Sequence, residues 1–84
     1  MRLRYFESAV DLLSDAAAAF DQSLGPEAEE TLRCRIYRAR SLYQSGDRLA
    51  AVGELTEVLE IRVRLLGPNH PETEEIRREL AELV

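Results

Sequence analysis

The sequence predicts an all-α protein built as a short α-solenoid of antiparallel helix pairs. Apolar residues recur every three or four positions in four segments, which is the spacing of one helical face. Only three prolines and four glycines occur, so long helices are favoured over many short elements. The second half of the chain also repeats the first half. Such a repeat is typical of a solenoid, in which each unit buries its apolar face against a neighbour.

Four helices are expected at about residues 3–24, 28–45, 47–66 and 71–84, within one domain that covers residues 1–84. Gly46 ends the second helix, and Asp47 is a candidate N-cap for the third. Pro71 suits the first turn of the fourth helix, where its missing N–H costs nothing. The two longer breaks share a glycine that can close a helix and a proline that cannot continue one, namely Gly25 with Pro26 and Gly67 with Pro68.

The repeat is read by placing residues 1–42 over residues 43–84 without a gap. Leu-Gly-Pro at positions 24–26 then coincides with Leu-Gly-Pro at positions 66–68, and glutamates and a threonine follow each copy. Unrelated amphipathic helices share an apolar rhythm, but they do not share such a loop. The small and large apolar positions also coincide, namely Ala9 with Ala51, Leu13 with Leu55, and Ala39 with Ala81.

The stretch YRARSLYQSGDRLAAVGELTEVLEIRVRLLGPNHPETEEIRRELAEL resembles tetratricopeptide repeats, specifically the 42-residue variety of kinesin light chains and many bacterial signalling proteins. Ala39, Gly46, Ala51 and Leu55 match the packing positions of its two-helix unit, and LGPNHPET matches its long loop. The unit of this family is helix A, a short turn, helix B and the loop. The resemblance therefore implies the helix order B-A-B-A, with one complete unit between two half units.

The arginines of the second helix are the leading candidates for a binding site. Several residues of this helix lie at steps of three, four and seven and so share one side. The resemblance implies that this side lines a concave groove that holds peptides. Arginine forks bind carboxylates with two prongs, which favours an acidic peptide or a chain terminus. The alternative is that these arginines are solvated or pair with glutamates of the neighbouring helix. The candidate groove residues are Arg33, Ile36, Arg40, Tyr43, Gln44 and Arg78.

Other residues that carry chemistry in many proteins have structural interpretations here. His70 lacks the surrounding ligands of a metal site, and the resemblance assigns it, with Pro71, to the loop, where it helps to cap the next helix. Cys34 lies between two arginines but is interpreted as a small buried hydrophobe. Arg38 stands where the family usually has leucine, and it is either tolerated there or serves a contact. No phosphate loop, nucleophile motif or catalytic carboxylate pair occurs, so no catalysis, cofactor or metal is expected.

The overall charge and composition exclude several classes of function. A formal net charge of −5 argues against general binding to nucleic acid or anionic membranes, since both favour a basic surface. The single cysteine cannot form an internal disulfide, which favours a reducing compartment. No apolar run approaches the roughly 20 residues that span a bilayer, and acidic residues interrupt the start where a signal peptide needs an uncharged core. A cytoplasmic protein is therefore expected.

Three roles are compatible with these observations. The leading hypothesis is a non-catalytic module that binds a protein or peptide partner in the groove. The second is self-assembly, because half units at both ends would leave apolar helix faces that a homodimer through the terminal helices could cover. The third is that the chain is a piece of a larger bacterial signalling protein.

Overall fold

The computed structural model describes the backbone of residues 2–84 and the side chains of residues 8–84. The four helices are α1 (Arg2–Leu24), α2 (Glu29–Gln44), α3 (Arg48–Leu66) and α4 (Pro71–Leu83). Over these described residues there is no strand. The prediction of an all-α fold is therefore confirmed.

In the described part of the chain, the backbone of each helix lies close only to the helices that come directly before and after it in sequence. Among the described residues, no Cα atom of α2 lies within 8 Å of one in α4, and the same holds between α1 and α3. α2 therefore sits between α1 and α3, and α3 sits between α2 and α4. This is the packing of a short solenoid, in which each helix pair is held by contacts with its nearest neighbours.

The main core lies between α2 and α3, and α4 closes one side of it. Ala39 of α2 and Ala51 of α3 are both fully buried, and their small side chains let the two helices approach closely. Larger apolar side chains pack around this point, each contributing about 1.5–3 kcal/mol on full burial. The core residues are Leu32, Ile36, Ala39, Ala51, Leu55, Val58 and Ile76.

The two Leu-Gly-Pro loops form similar joints between a helix and the next. Gly25 and Gly67 have φ values of 100° and 95°, which residues with a side chain rarely adopt. The equivalent threonines after the two joints bond to carbonyls that are not equivalent. Thr31 Oγ1 donates to the carbonyl of Gly25 at 2.8 Å, and Thr73 Oγ1 donates to the carbonyl of Arg62 at 3.5 Å. The backbone does repeat, because each glycine N–H donates to the carbonyl four residues earlier, and each glycine carbonyl accepts from the N–H three residues later. The repeat in sequence therefore corresponds to a repeat in backbone conformation.

The first turns of α2 and α4 are capped in different ways. His70 Nδ1 accepts a hydrogen bond from the backbone N–H of Glu72 at 3.1 Å, and Pro71 occupies the start of α4. The equivalent residue before α2 is Ala28, which has no side chain that can cap. Acidic residues in the first turn of both helices complement the helix dipole. The first joint therefore forms without a histidine.

Arg38, where the family resemblance favours leucine, serves a contact between α1 and α3. Its guanidinium donates to Ser14 Oγ of α1 at 3.3 Å and to the carboxylate of Glu54 of α3. Arg35 donates to the same carboxylate at 3.0 Å and also binds Glu57. Desolvation works to lower the pKa of Arg35, but hydrogen bonds to both glutamates, and their charges, outweigh it and leave that pKa raised. These side chains connect α1 and α3 across α2.

Replacing Gly67 with alanine is expected to lower the free energy of unfolding by about 1–3 kcal/mol. Its φ of 95° and ψ of 158° fall in a region that is essentially restricted to glycine. No atom lies within 4 Å of the added Cβ, so the cost is backbone strain and not a clash. Urea unfolding followed by circular dichroism measures the change.

Gly53→Ala is the matched control, because Gly53 lies inside α3 with equally open surroundings. Alanine there is expected to raise the free energy of unfolding by about 0.5–1 kcal/mol, since glycine is a poor helix former. Changes of the same sign at the two positions would contradict the role assigned to Gly67.

Candidate partner-binding cleft

An open cleft runs between α2 and α4, and α3 contributes to its floor. The cleft has a volume of about 280 Å³. Its two walls are the helices that the family resemblance assigns to the A position. The lining residues are Glu29, Arg33, Ile36, Tyr37, Arg40, Arg62, Glu72 and Glu75.

The α2 wall carries two arginines and a tyrosine. Arg33, Tyr37 and Arg40 follow each other at steps of four and three, so they lie on one side of the helix, and all three are exposed. The guanidinium carbon of Arg40 lies 5.5 Å from the centroid of the Tyr37 ring, a cation–π distance. Arg33 contacts Glu29, one turn earlier, at 3.4 Å. This wall is therefore basic and partly aromatic.

The α4 wall is acidic. The 42-residue repeat places Glu75, Glu79 and Glu82 at the positions of the three α2 residues just named. Arg40 Nε and Nη2 donate to the two carboxylate oxygens of Glu79 at 2.8 and 3.0 Å. These hydrogen bonds raise the pKa of Arg40, so its guanidinium stays charged. A basic wall and an acidic wall thus face each other across the cleft.

Arg62 lies at the floor of the cleft and joins three helices. It is 5% exposed, and its guanidinium binds Glu29 of α2, at 3.3 Å, and Glu72 of α4. Its Nε is buried with no hydrogen-bond partner among the described residues. The repeat places Phe20 of α1 at the equivalent position. A charged side chain therefore occupies an apolar position of the repeat.

The cleft brings together three of the six candidate groove residues. Arg33 and Arg40 lie on the α2 wall. Ile36 contributes to the lining, although it is 8% exposed and belongs to the core. The other three candidates are exposed but lie outside the lining, namely Tyr43, Gln44 and Arg78.

Five residues of the lining were not among the candidates. The helical period could have found Tyr37, which lies four positions after Arg33. Arg62 follows Val58 by four positions, and a charge on an otherwise apolar helix face was the signal that could have found it. The glutamates carried no signal of their own, because acidic residues at helix starts are explained by the dipole. The five are Glu29, Tyr37, Arg62, Glu72 and Glu75.

Residues that serve other chemistry in many proteins are placed elsewhere. Cys34 is a half-buried free thiol, and His70 caps α4. In the part of the chain that the structure describes, no group of three or more His, Cys, Asp or Glu residues is arranged to hold a metal ion. No described helix is both long enough and apolar enough to cross a membrane.

Comparisons with known proteins agree with this architecture. The family model for the tetratricopeptide repeat matches residues 31–72, which are half of the chain. The chain belongs to the tetratricopeptide repeat family. Clustered mitochondria protein from Arabidopsis thaliana is 37% identical over 60 residues, so the match covers 71% of this chain and about 4% of the length of that relative. No solved structure matches the chain.

In this tetratricopeptide repeat, α1 and α3 are both B helices. α3 packs against two helices, α2 and α4, whereas α1 packs against α2 alone among the described helices. α3 presents to its neighbours a series of positions that are all buried, namely Ala51, Leu55, Val58 and Arg62. At the equivalent positions α1 has residues that are half-buried, because no described helix packs on their outer side. They are Ala9, Leu13, Ala16 and Phe20.

The outer side of α4, the last A helix of the repeat, is mostly polar. The equivalent side of α2 packs on α3 with Leu32 and Ile36. At the same two positions α4 has Glu74 and Arg78. Ala81 follows on that side and is exposed. A polar outer face of this kind suits contact with water, as in the terminal repeats of solenoids.

Removing the charge at position 62 is expected to change the free energy of unfolding by less than about 1 kcal/mol, or to raise it. A buried ion pair gains little over an apolar side chain of similar volume, because both charges lose solvation. Arg62→Met keeps the length of the side chain, and the two glutamates that it releases are half-exposed and regain water. Urea unfolding measures the difference from the wild-type chain.

The opposite change, which keeps Arg62 and removes its partners, is expected to be costly. Glu29→Gln with Glu72→Gln leaves a buried guanidinium without a carboxylate and should lower the free energy of unfolding by about 3–5 kcal/mol. Glu30→Gln with Glu74→Gln is the matched control, since it removes two charges from the same first turns. Its expected cost is about 0.3–1 kcal/mol per charge. Equal losses in the two double variants would mean that the dipoles alone explain the effect.

Proposed function

We propose that this chain is a non-catalytic binding module that holds a peptide, or a segment of another protein, between α2 and α4. Tetratricopeptide repeats are in general protein-interaction modules. The observation that carries the proposal is the open cleft between the two A helices, with exposed arginine, tyrosine and glutamate side chains on its walls. Concave sites with a few convergent polar groups are typical binding sites.

The charges of the cleft favour a partner segment that carries both signs. Arg33 is the least engaged arginine of the lining, because its single contact with Glu29 is exposed and such pairs contribute about 0–1 kcal/mol. On the other wall, Glu75 forms no ion pair with any side chain that the structure describes. A carboxylate of the partner therefore fits Arg33, and an ammonium or guanidinium group fits Glu75.

A purely acidic partner is less well suited to this cleft. Arg40 already has a two-pronged bond to Glu79, and Arg62 already binds two glutamates. An acidic peptide would have to displace these carboxylates without relieving any unpaired positive charge. The sequence suggested an acidic partner. The cleft instead favours a partner with one acidic group, which would contact Arg33.

Residues beside the cleft extend the proposed contact surface. Tyr43 and Gln44 are exposed in the last turn of α2, so a longer partner segment would reach them. Arg78 is exposed on the outer side of α4 and would be reached only by a partner that passes around this helix. We place the module in the cytoplasm, because the free thiol of Cys34 suits a reducing compartment.

A random peptide library displayed on phage tests the proposal, because selection from it does not require an identified partner. The wild-type chain is expected to select peptides that carry both an acidic and a basic residue and bind with a Kd below about 100 µM. The double variant Arg33→Ala with Tyr37→Ala should bind the selected peptides at least about tenfold more weakly, a loss of about 1.4 kcal/mol. Isothermal titration calorimetry measures both affinities.

Arg48→Ala with Leu49→Ala is the control for this experiment. Both residues are exposed on α3 and lie outside the lining of the cleft, so the selected peptides should bind this variant as they bind the wild type. Circular dichroism verifies that both double variants keep their helices. Equal binding to the two variants, or a library that yields no binder, would refute the assignment of the cleft.

A further inference from the structure

We propose that the cleft recognises the side-chain amide of an asparagine or glutamine in its partner, and that Arg62 on the floor selects this group. The inference rests on the proposed function, because it concerns the same cleft and the same class of partner. Arg62 is 5% exposed, and its Nε–H is a buried donor with no acceptor among the described residues. Buried donors are paired in the great majority of cases, so this one points to a position for an acceptor of the ligand.

One edge of the Arg62 guanidinium is only half engaged. Nε and Nη2 form this edge of the planar group, and Arg40 uses the same edge to bind both carboxylate oxygens of Glu79, at 2.8 and 3.0 Å. In Arg62 the edge makes a single contact within the described residues, from Nη2 to Glu29 Oε2 at 3.3 Å. The Nε half of the edge therefore retains a donor for a further oxygen.

The charge of Arg62 is already balanced, so the remaining capacity is a donor and not a charge. The guanidinium binds two carboxylates, those of Glu29 and Glu72. Each carboxylate has a second oxygen, Glu29 Oε1 and Glu72 Oε2, that accepts no hydrogen bond from any described residue. A partner group that fits this floor accepts one hydrogen bond, from Nε–H, and donates another to a glutamate oxygen.

The side-chain amide of asparagine or glutamine meets both needs. Its carbonyl oxygen accepts and its NH₂ group donates. A lysine or arginine side chain has no acceptor, whereas an ionised aspartate or glutamate has no donor and adds a third negative charge beside Glu29 and Glu72. An apolar side chain leaves Nε–H unpaired. The hydroxyl of serine or threonine can do both, but it sits on a short side chain that reaches less far toward the floor.

Glu29 is the side chain that a partner has to move in order to reach Nε. It occupies the neighbouring position on the same edge of the guanidinium, and its side chain is 47% exposed. Its other contact, with Arg33 at 3.4 Å, is also exposed. Exposed pairs of this kind contribute little to stability. A shift of Glu29 toward Arg33 therefore costs little, and it leaves the carboxylate beside the entering amide.

The surroundings of Arg62 predict where the amide lies in the partner segment. The proposed segment meets Arg33 on the α2 wall with an acidic group and Glu75 on the α4 wall with a basic group. Arg62 contributes to the floor between these walls. We therefore expect the asparagine or glutamine to stand between the acidic and the basic residue of the segment.

The peptides that the wild-type chain selects from the phage library are the first test. Asparagine or glutamine should occupy one common position in most of them. Isothermal titration calorimetry then compares a selected peptide with two altered versions, in which this residue is replaced by the acid of the same shape or by methionine. Each replacement should weaken binding to the wild-type chain at least about tenfold, because it leaves the buried donor unpaired or adds a third carboxylate.

The variant Arg62→Met tests whether Arg62 makes this distinction. It should bind the amide peptide and the methionine peptide with affinities within about twofold of each other, since the Nε–H donor is gone. Arg48→Met is the matched control, because Arg48 is exposed on α3 outside the lining of the cleft, and this variant should keep the full preference for the amide. Circular dichroism verifies that both variants keep their helices.

The outcomes separate the amide site from the proposed function. Some peptides may lose binding in the Arg33→Ala with Tyr37→Ala variant and so bind in the cleft. If these peptides carry no common amide, or bind the wild-type chain equally well with methionine in its place, the amide site is overturned and the proposed function stands. A preference that persists in Arg62→Met would overturn the role of Arg62. A library that yields no binder would overturn both proposals.

Discussion

The remaining structure depends on one constraint, which is the burial of Ala39 between α2 and α3. Ala39 and Ala51 are both fully buried there, so the two helices are held at a short distance by residues that leave no room for a longer side chain. This distance sets where Leu55 and Val58 reach, and hence where α4 packs. The two walls of the cleft are placed by the same contact, because one wall is α2 and the other is α4.

Much of the fold could be predicted from the sequence because its determinants are local. Gly25 and Gly67 end helices through their own backbone conformation, and each Leu-Gly-Pro loop lies within a few residues of the helices that it separates. The apolar rhythm likewise shows which side of a helix is buried. Arg38 is different, because its partners on α1 and α3 are 24 and 16 residues away. Its contact is visible only when those two helices lie side by side.

The candidate site was harder to predict because its charges pair across the fold. Arg40 binds Glu79, which lies 39 residues further along the chain, and no local pattern selects that glutamate from the others. Residue spacing predicted that Arg33 and Arg40 share one side of α2, and both line the cleft. Spacing alone could not show that Tyr43 falls outside the lining, since this depends on where α4 lies. The 42-residue repeat gave the best information about the acidic wall. It shows which residue of α4 corresponds to each residue of α2.

The packing of each helix against its chain neighbours alone has a mechanical consequence. The backbones of α2 and α4 do not touch within the described residues, so only side chains bridge the cleft directly, chiefly the Arg40–Glu79 pair and Arg62. These contacts can lengthen or exchange partners without breaking a backbone hydrogen bond. The side-chain bridges across the cleft are therefore separate from the core that holds α2, α3 and α4 together.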